Sequence, residues 1–132
     1  MSDAIALDGV VTFPDGLPGF ERCRQFVLVG SPALQPFTLV QGVDADGPSF
    51  VAIDPRRVAG EYSTVLDRAE LARLDVTAAE PLLWLAIVAA HEDGSATANL
   101  RAPLVINPAA MRGIQLISLD SPYPIDHPLQ VG

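Results

Sequence analysis

Two histidines, one cysteine and a scatter of carboxylates are the side chains of this 132-residue chain that could do chemistry. His91 sits beside Glu92 and Asp93, and His127 follows Asp126. Each could be a single metal ligand, but neither belongs to an HxxxH, HxH or Cys/His spacing. Solvated surface histidine is the expectation, with no metal. Cys23 lies between Arg22 and Arg24, which would lower its pKa. No histidine lies near it in sequence, so an exposed or half-buried bystander thiol is expected. Gly47-Pro48-Ser49-Phe50-Val51 lacks the last glycine and the following helix of a nucleophile elbow. Asp44 and Asp46 suggest calcium, but the acidic fifth position and the later Glu of an EF-type loop are missing, so they read as turn formers. Carboxylate pairs for glycosidic work require a cleft whose geometry the sequence does not supply. The inventory points away from an enzyme and requires no cofactor.

The elements that would position these groups are short. Twelve prolines and ten glycines are spread along the chain, a pattern of many turns rather than long helices. Residues 5–13 read as a first strand with Val11 and Phe13 on one face, followed by the turn Pro14-Asp15-Gly16 and a stiff loop in which Phe20 is expected to plug the core. This glycine pattern is not a phosphate loop, because no Gly-Lys-Ser/Thr follows. Strands are expected at 24–29, 37–41 and 49–53, the last two joined as a hairpin and stopped by Asp54-Pro55. Residues 61–66 could form another strand. Asp67 with Glu70 makes a capping box, predicting one short helix at 68–74 seated on a barrel end. Residues 82–90 mix helix and strand formers; the turn Glu92-Asp93-Gly94-Ser95 after them favours strand. A loop at 107–113, a last long strand at 114–119 and an unpaired proline-rich tail complete the chain. About seven strands with frequent turns describe one all-β domain over residues 1–132 with one short helix, a small antiparallel barrel or sandwich.

Charge narrows the partners. The formal net charge is −8, from 16 acidic and 8 basic residues, and all eight basic ones are Arg. Displacing counterions from phosphate requires a basic surface, and the closest candidate, Arg56-Arg57, is flanked by Asp54 and Glu61. Direct RNA or DNA binding is disfavoured, whereas a basic protein partner suits the field of the whole molecule. A merely solvated acidic surface is the plainer alternative. One cysteine cannot form an internal disulfide, the N-terminal residues lack a basic-then-apolar leader, and the longest apolar run, 82–90, is far short of the roughly 20 residues of a membrane span. A cytoplasmic protein is expected.

Residues 97–107 stand out. The run is apolar enough for a core strand, yet contains Asn99, Arg101 and Pro103. Proline has no N–H for a ladder, so Pro103 belongs on an edge strand or at a bulge. Such a partly buried, partly unpaired strand is a place where another protein could dock, or simply a barrel rim.

Several of these motifs fall together. Phe13-Pro14-Asp15-Gly16-Leu17-Pro18-Gly19-Phe20, Pro36-Phe37 with Leu39 and Gln41, the segment from Phe50 to Pro55, Tyr62, Asn99-Leu100-Arg101-Ala102-Pro103-Leu104-Val105-Ile106-Asn107, Gly113-Ile114-Gln115 and Ser121-Pro122-Tyr123-Pro124-Ile125 occur in that order. In these motifs the chain resembles the FliW family of flagellar assembly factors over nearly its whole length. The resemblance implies a cytoplasmic, non-enzymatic β-barrel protein with two alternating partners. One is flagellin before export; the other is CsrA, the repressor of flagellin translation, which the factor would antagonise once flagellin has left. A small barrel that binds RNA or a small ligand directly is the alternative. Two departures from the family pattern are a short lead into Phe13 and Asp126 where a basic residue commonly precedes His-Pro. The expected partner contacts are Asn99, Leu100, Arg101 and Pro103, with Phe50, Asp54 and Pro55 at the hairpin end. Equally, Leu100 and Phe50 could be core and Asn99 a cap of the bulge. Burial of Leu100 alone would contribute roughly 2 kcal/mol, so its loss could mimic loss of binding through unfolding.

Overall fold

The computed structural model describes residues 9–17, 19–30, 32–44, 47–77, 81–117 and 121–129. Among them are nine strands: β1 (Val11–Thr12), β2 (Gln25–Val29), β3 (Phe37–Gly42), β4 (Ser49–Ile53), β5 (Leu83–Ala90), β6 (Ala96–Ala98), β7 (Leu104–Asn107), β8 (Arg112–Gln115) and β9 (His127–Pro128). Hydrogen-bonded neighbours run β4-β3-β2-β1-β8-β7-β5, and β4 pairs again with β5, which closes a seven-strand barrel. β6 and then β9 extend the sheet beyond β5. Closure removes the exposed edges that an open sheet of this size would leave. The all-β barrel expected from the turns is therefore present, with one parallel pairing, β1 with β8, in an otherwise antiparallel set.

Alternation along the strands divides the apolar residues between the two faces of the wall. Phe26, Leu28, Val40, Ala52, Leu85, Leu104 and Ile106 fill the interior together with Val11 and Phe13, whose rings and methyls are fully buried. Phe13 meets Phe26 edge-on at 5.4 Å. The outer face is also apolar in places, and the chain covers it with its own segments. Helix α2 (Arg68–Arg73) ends at Leu74, which packs with Val105, Ile114 and Leu116 on the outer wall rather than at a barrel end. Its start is the expected capping box: Asp67 accepts from the Glu70 N–H and Glu70 accepts from the Asp67 N–H, both at 2.8 Å. Asn107, fully buried, holds its other end by donating from Nδ2 to the Leu74 carbonyl at 2.9 Å.

Several sequence expectations are corrected. A second helical turn, α1 (Pro55–Val58), follows β4: Asp54 stops the strand and then caps the helix, accepting from the Arg56 N–H, with Pro55 at the first helical position. Residues 61–66 are not a strand, because the Ser63 N–H and C=O bond the Tyr123 hydroxyl instead of a ladder. Phe20 does not plug the core; it is 44% exposed, and Leu17 takes the buried place. Cys23 is buried, its thiol facing the Gln25 carbonyl at 3.7 Å. The loop expected at 107–113 is shorter, since Asn107 belongs to β7 and Arg112 and Gly113 to β8. Within the first predicted strand only Val11–Thr12 pairs among the described residues; residues 1–8 lie outside them, as do Pro18, Ala45, Asp46 and residues 118–119. The long strand expected at 114–119 is shorter, since β8 ends at Gln115 and Leu116 and Ile117 follow it outside any strand. The tail does not pair at Ser121-Pro122-Tyr123-Pro124, as expected, but β9 beyond it adds a short strand, with Pro128 on the outermost strand where a missing N–H costs least.

Candidate functional site

The run 97–107 is not one strand. β6 and β7 both lie antiparallel to β5, with Ala98 opposite Val88 and Leu104 opposite Leu85. Five residues, 99–103, therefore face only Ala86 and Ile87, and the surplus is pushed out of the sheet as a wide bulge. Pro103, with no N–H to offer, stands where the ladder resumes; the expectation of a bulge at this proline holds.

The bulge is held on all sides. The Asn99 N–H still donates to the Ile87 carbonyl at 2.9 Å, while its Oδ1 accepts from the Arg101 and Ala102 N–H groups, each at 3.1 Å. That arrangement is an Asx turn, in which a short amide side chain substitutes for a missing backbone partner. The Leu100 N–H donates to the Pro124 carbonyl at 3.1 Å, and the Leu100 carbonyl accepts from the Tyr62 hydroxyl at 3.0 Å. Gln115 Nε2 donates to the Ala102 carbonyl at 3.1 Å, and the Leu116 N–H to the Pro103 carbonyl at 2.9 Å. Arg101 Nε donates to the Tyr123 carbonyl at 2.9 Å, tying the bulge to the tail.

Aromatic side chains support it from below. Tyr62 and Tyr123 stack with centroids 4.4 Å apart, and Tyr62 meets Trp84 edge-on at 6.4 Å. Leu100, 1% exposed, sits in the same cluster with Ile53, Ala86 and Ala98. Burial pushes the Tyr62 phenol above the ordinary tyrosine value, and Tyr123 adds to the rise, against a hydrogen bond with Thr64 that lowers it. A recess of about 160 Å³ opens beside the cluster, lined by Arg56, Tyr62, Ser63, Thr64 and Trp84.

The seven expected contact residues thus divide. Arg101 is exposed and Asn99 half-buried, so this part of the bulge reaches solvent; Leu100 and Pro103 are buried supports. Asp54 and Pro55 begin α1, whose Val58 packs on the Leu100 cluster, and Asp54 also pairs with Arg56 at 3.4 Å. Phe50 lies elsewhere. It packs on the barrel interior and meets the exposed Phe20 edge-on at 5.6 Å, beside a groove of about 620 Å³ lined by residues including Phe20, Cys23, Asp44 and Pro48. Tyr62 and Tyr123 were present in the sequence motifs without a role. Their spacing of about sixty residues hid the stack, which only the return of the tail creates.

His91 bonds Thr97 Oγ1 through Nε2 at 2.9 Å on the surface, and among the described residues no three His, Cys, Asp or Glu side chains converge as metal ligands would. No helix of the described residues is long and apolar enough to cross a membrane.

Residues 3–129 match the family model described as FliW protein. The flagellar assembly factor FliW of Natranaerobius thermophilus is 35% identical over 124 residues, covering 92% of this chain and 82% of that one. Its counterpart in Caldanaerobacter subterraneus is 36% identical, with 92% and 83% covered. A crystal structure of the flagellar assembly factor FliW superposes with a TM-score of 0.82 at 32% identity, covering 90% of this chain and 84% of that one.

Proposed function

The chain belongs to the FliW family of flagellar assembly factors, and from that premise we propose that it is a protein-binding regulator, not an enzyme, working in the cytoplasm. It holds flagellin before export and, once flagellin has left, binds CsrA and relieves repression of flagellin translation. The observation that carries this reading is the bulge 99–103: the family motif coincides with a segment forced out of the barrel wall, fixed in shape and open at Arg101. A preformed loop binds with little ordering cost, which suits a factor that exchanges partners. The net charge of −8 supports the CsrA step, because a protein that binds RNA must carry positive surface.

Purified chain mixed with flagellin or with CsrA at micromolar concentration should co-elute with each on size exclusion, and flagellin should displace CsrA. Failure to bind either rejects the proposal. A gel shift with flagellin leader RNA in the absence of CsrA separates it from direct RNA binding, for which no shift is expected.

A further inference from the structure

Among the described residues the outer wall of the barrel carries three apolar areas, and the chain covers two of them. Leu74, just past α2, lies over Val105 and Ile114, while α1, Tyr62 and the tail lie over Ile53, Ala86 and Ala98. The third is a row that the strand register lines up. Val29 stands opposite Leu39, Leu39 opposite Val51, and Val51 opposite Val88, so all four side chains point to one face across β2, β3, β4 and β5. That face is the outer one, because Phe50 and Ala52 on either side of Val51 pack into the interior. Val51 is 42% exposed and Val29 39%, and Leu39 is half-buried; Val88, also half-buried, packs against the Leu100 cluster and closes the row at that end.

The ends of the row differ in charge. Beyond Val51 and Val88 in one direction lie Ser49 and Ala90, then the exposed Asp44 of the β3–β4 turn and Glu92 and Asp93 after β5, with the exposed Arg24 before β2 at the same end and Arg22 in the groove that Asp44 lines. In the other direction lie Ile53 and α1, where Arg56 is paired with Asp54 and Arg57 is exposed. An apolar row that ends in more carboxylates than arginines fits a cationic partner, and a net charge of −8 on each copy disfavours pairing with a second copy.

We propose that the outer face of β2–β5, along Val29, Leu39, Val51 and Val88, docks a cationic protein segment with an apolar centre, its basic end toward Asp44, Glu92 and Asp93. This rests on the reading of the chain as a protein-binding regulator and gives its basic partner a surface beside the bulge, which the row reaches at Val88.

The test compares the affinity of Val51→Lys and of the double variant Asp44→Lys/Glu92→Lys with that of the unaltered chain, using purified CsrA and purified flagellin as probes. Val51 and both acids are exposed enough for the variants to fold, which thermal unfolding checks. Val51→Lys should weaken binding of the more basic probe at least tenfold, with an unfolding midpoint like that of the parent. The double variant should weaken it similarly and flatten its salt dependence. If the parent binds and both variants match it, this surface is wrong while the regulator reading stands. If the parent binds neither probe, both fall. If the parent sediments as a dimer that Val51→Lys dissociates, the face belongs to a second copy and the proposal is overturned.

Discussion

Replacing Asn99 by Ala removes one oxygen and should loosen the whole bulge. That oxygen accepts from two backbone N–H groups at 3.1 Å, of which the Arg101 N–H is exposed and the Ala102 N–H partly buried. A hydrogen bond contributes about 1 kcal/mol net, less where water can replace the lost partner and more where the donor stays buried. The expected cost is therefore about 1–1.5 kcal/mol, most of it from Ala102. With a urea m-value of roughly 1.5–2 kcal/mol/M for a chain of this size, the unfolding midpoint should fall by about 0.5–1 M. Asn99→Asp keeps an acceptor in place and sets a negative charge near Arg101, so its midpoint should stay close to that of the parent. Urea titration followed by tryptophan fluorescence suits the assay, because Trp84, the only tryptophan, packs against Tyr62 beneath the bulge. If Asn99→Ala unfolds with the parent, or Asn99→Asp falls as far as Asn99→Ala, the acceptor role is wrong.

Two other perturbations probe the supports. Tyr62→Phe deletes the donor to the buried Leu100 carbonyl and should cost roughly 1–3 kcal/mol near neutral pH. The phenol also sets an alkaline limit. Its folded pKa lies above the ordinary value, so the unfolded chain releases the proton first; the contribution is complete below about pH 10 and is lost as pH rises through the folded value. Thermal midpoints measured from pH 9 upward should fall more steeply for the parent than for Tyr62→Phe, and equal slopes would contradict this. Gly113→Ala would set a methyl 2.6 Å from Phe13 Cζ inside the barrel, and the overpacking should cost about 1–3 kcal/mol by denaturant titration; an unchanged midpoint would show that the interior yields there.

What could be read from the sequence followed from local chemistry. Pro103 announced a break in the ladder because it lacks an N–H, and Asp67 with Glu70 announced a helix start because both bonds lie within one turn. Asp54-Pro55 carries two local meanings, strand stop and helix start, and the structure uses both. Other features depend on residues far apart in the chain. Phe20 read as core by type alone, yet Leu17, three residues earlier, fills the place, and nothing in the loop distinguishes them until the barrel closes. The bulge could be located, but not its fastening: Tyr62 and Tyr123 meet only because the tail returns to β6, a long-range event with no periodic signature. Phe50 does not lie with Asp54 and Pro55, because the two ends of β4 serve different clusters, Phe50 the barrel interior and α1 the Leu100 cluster.

The proposal that the bulge meets partners stands most directly on Arg101, which is exposed and whose known contact is with the Tyr123 carbonyl at the surface. Calorimetric titration of flagellin and of CsrA into the parent and into Arg101→Ala, with thermal unfolding as the folding control, measures its part. At least a tenfold loss of affinity for one partner, about 1.4 kcal/mol, is expected with little change in the unfolding midpoint. Undiminished affinity for both partners would contradict a binding role for the bulge.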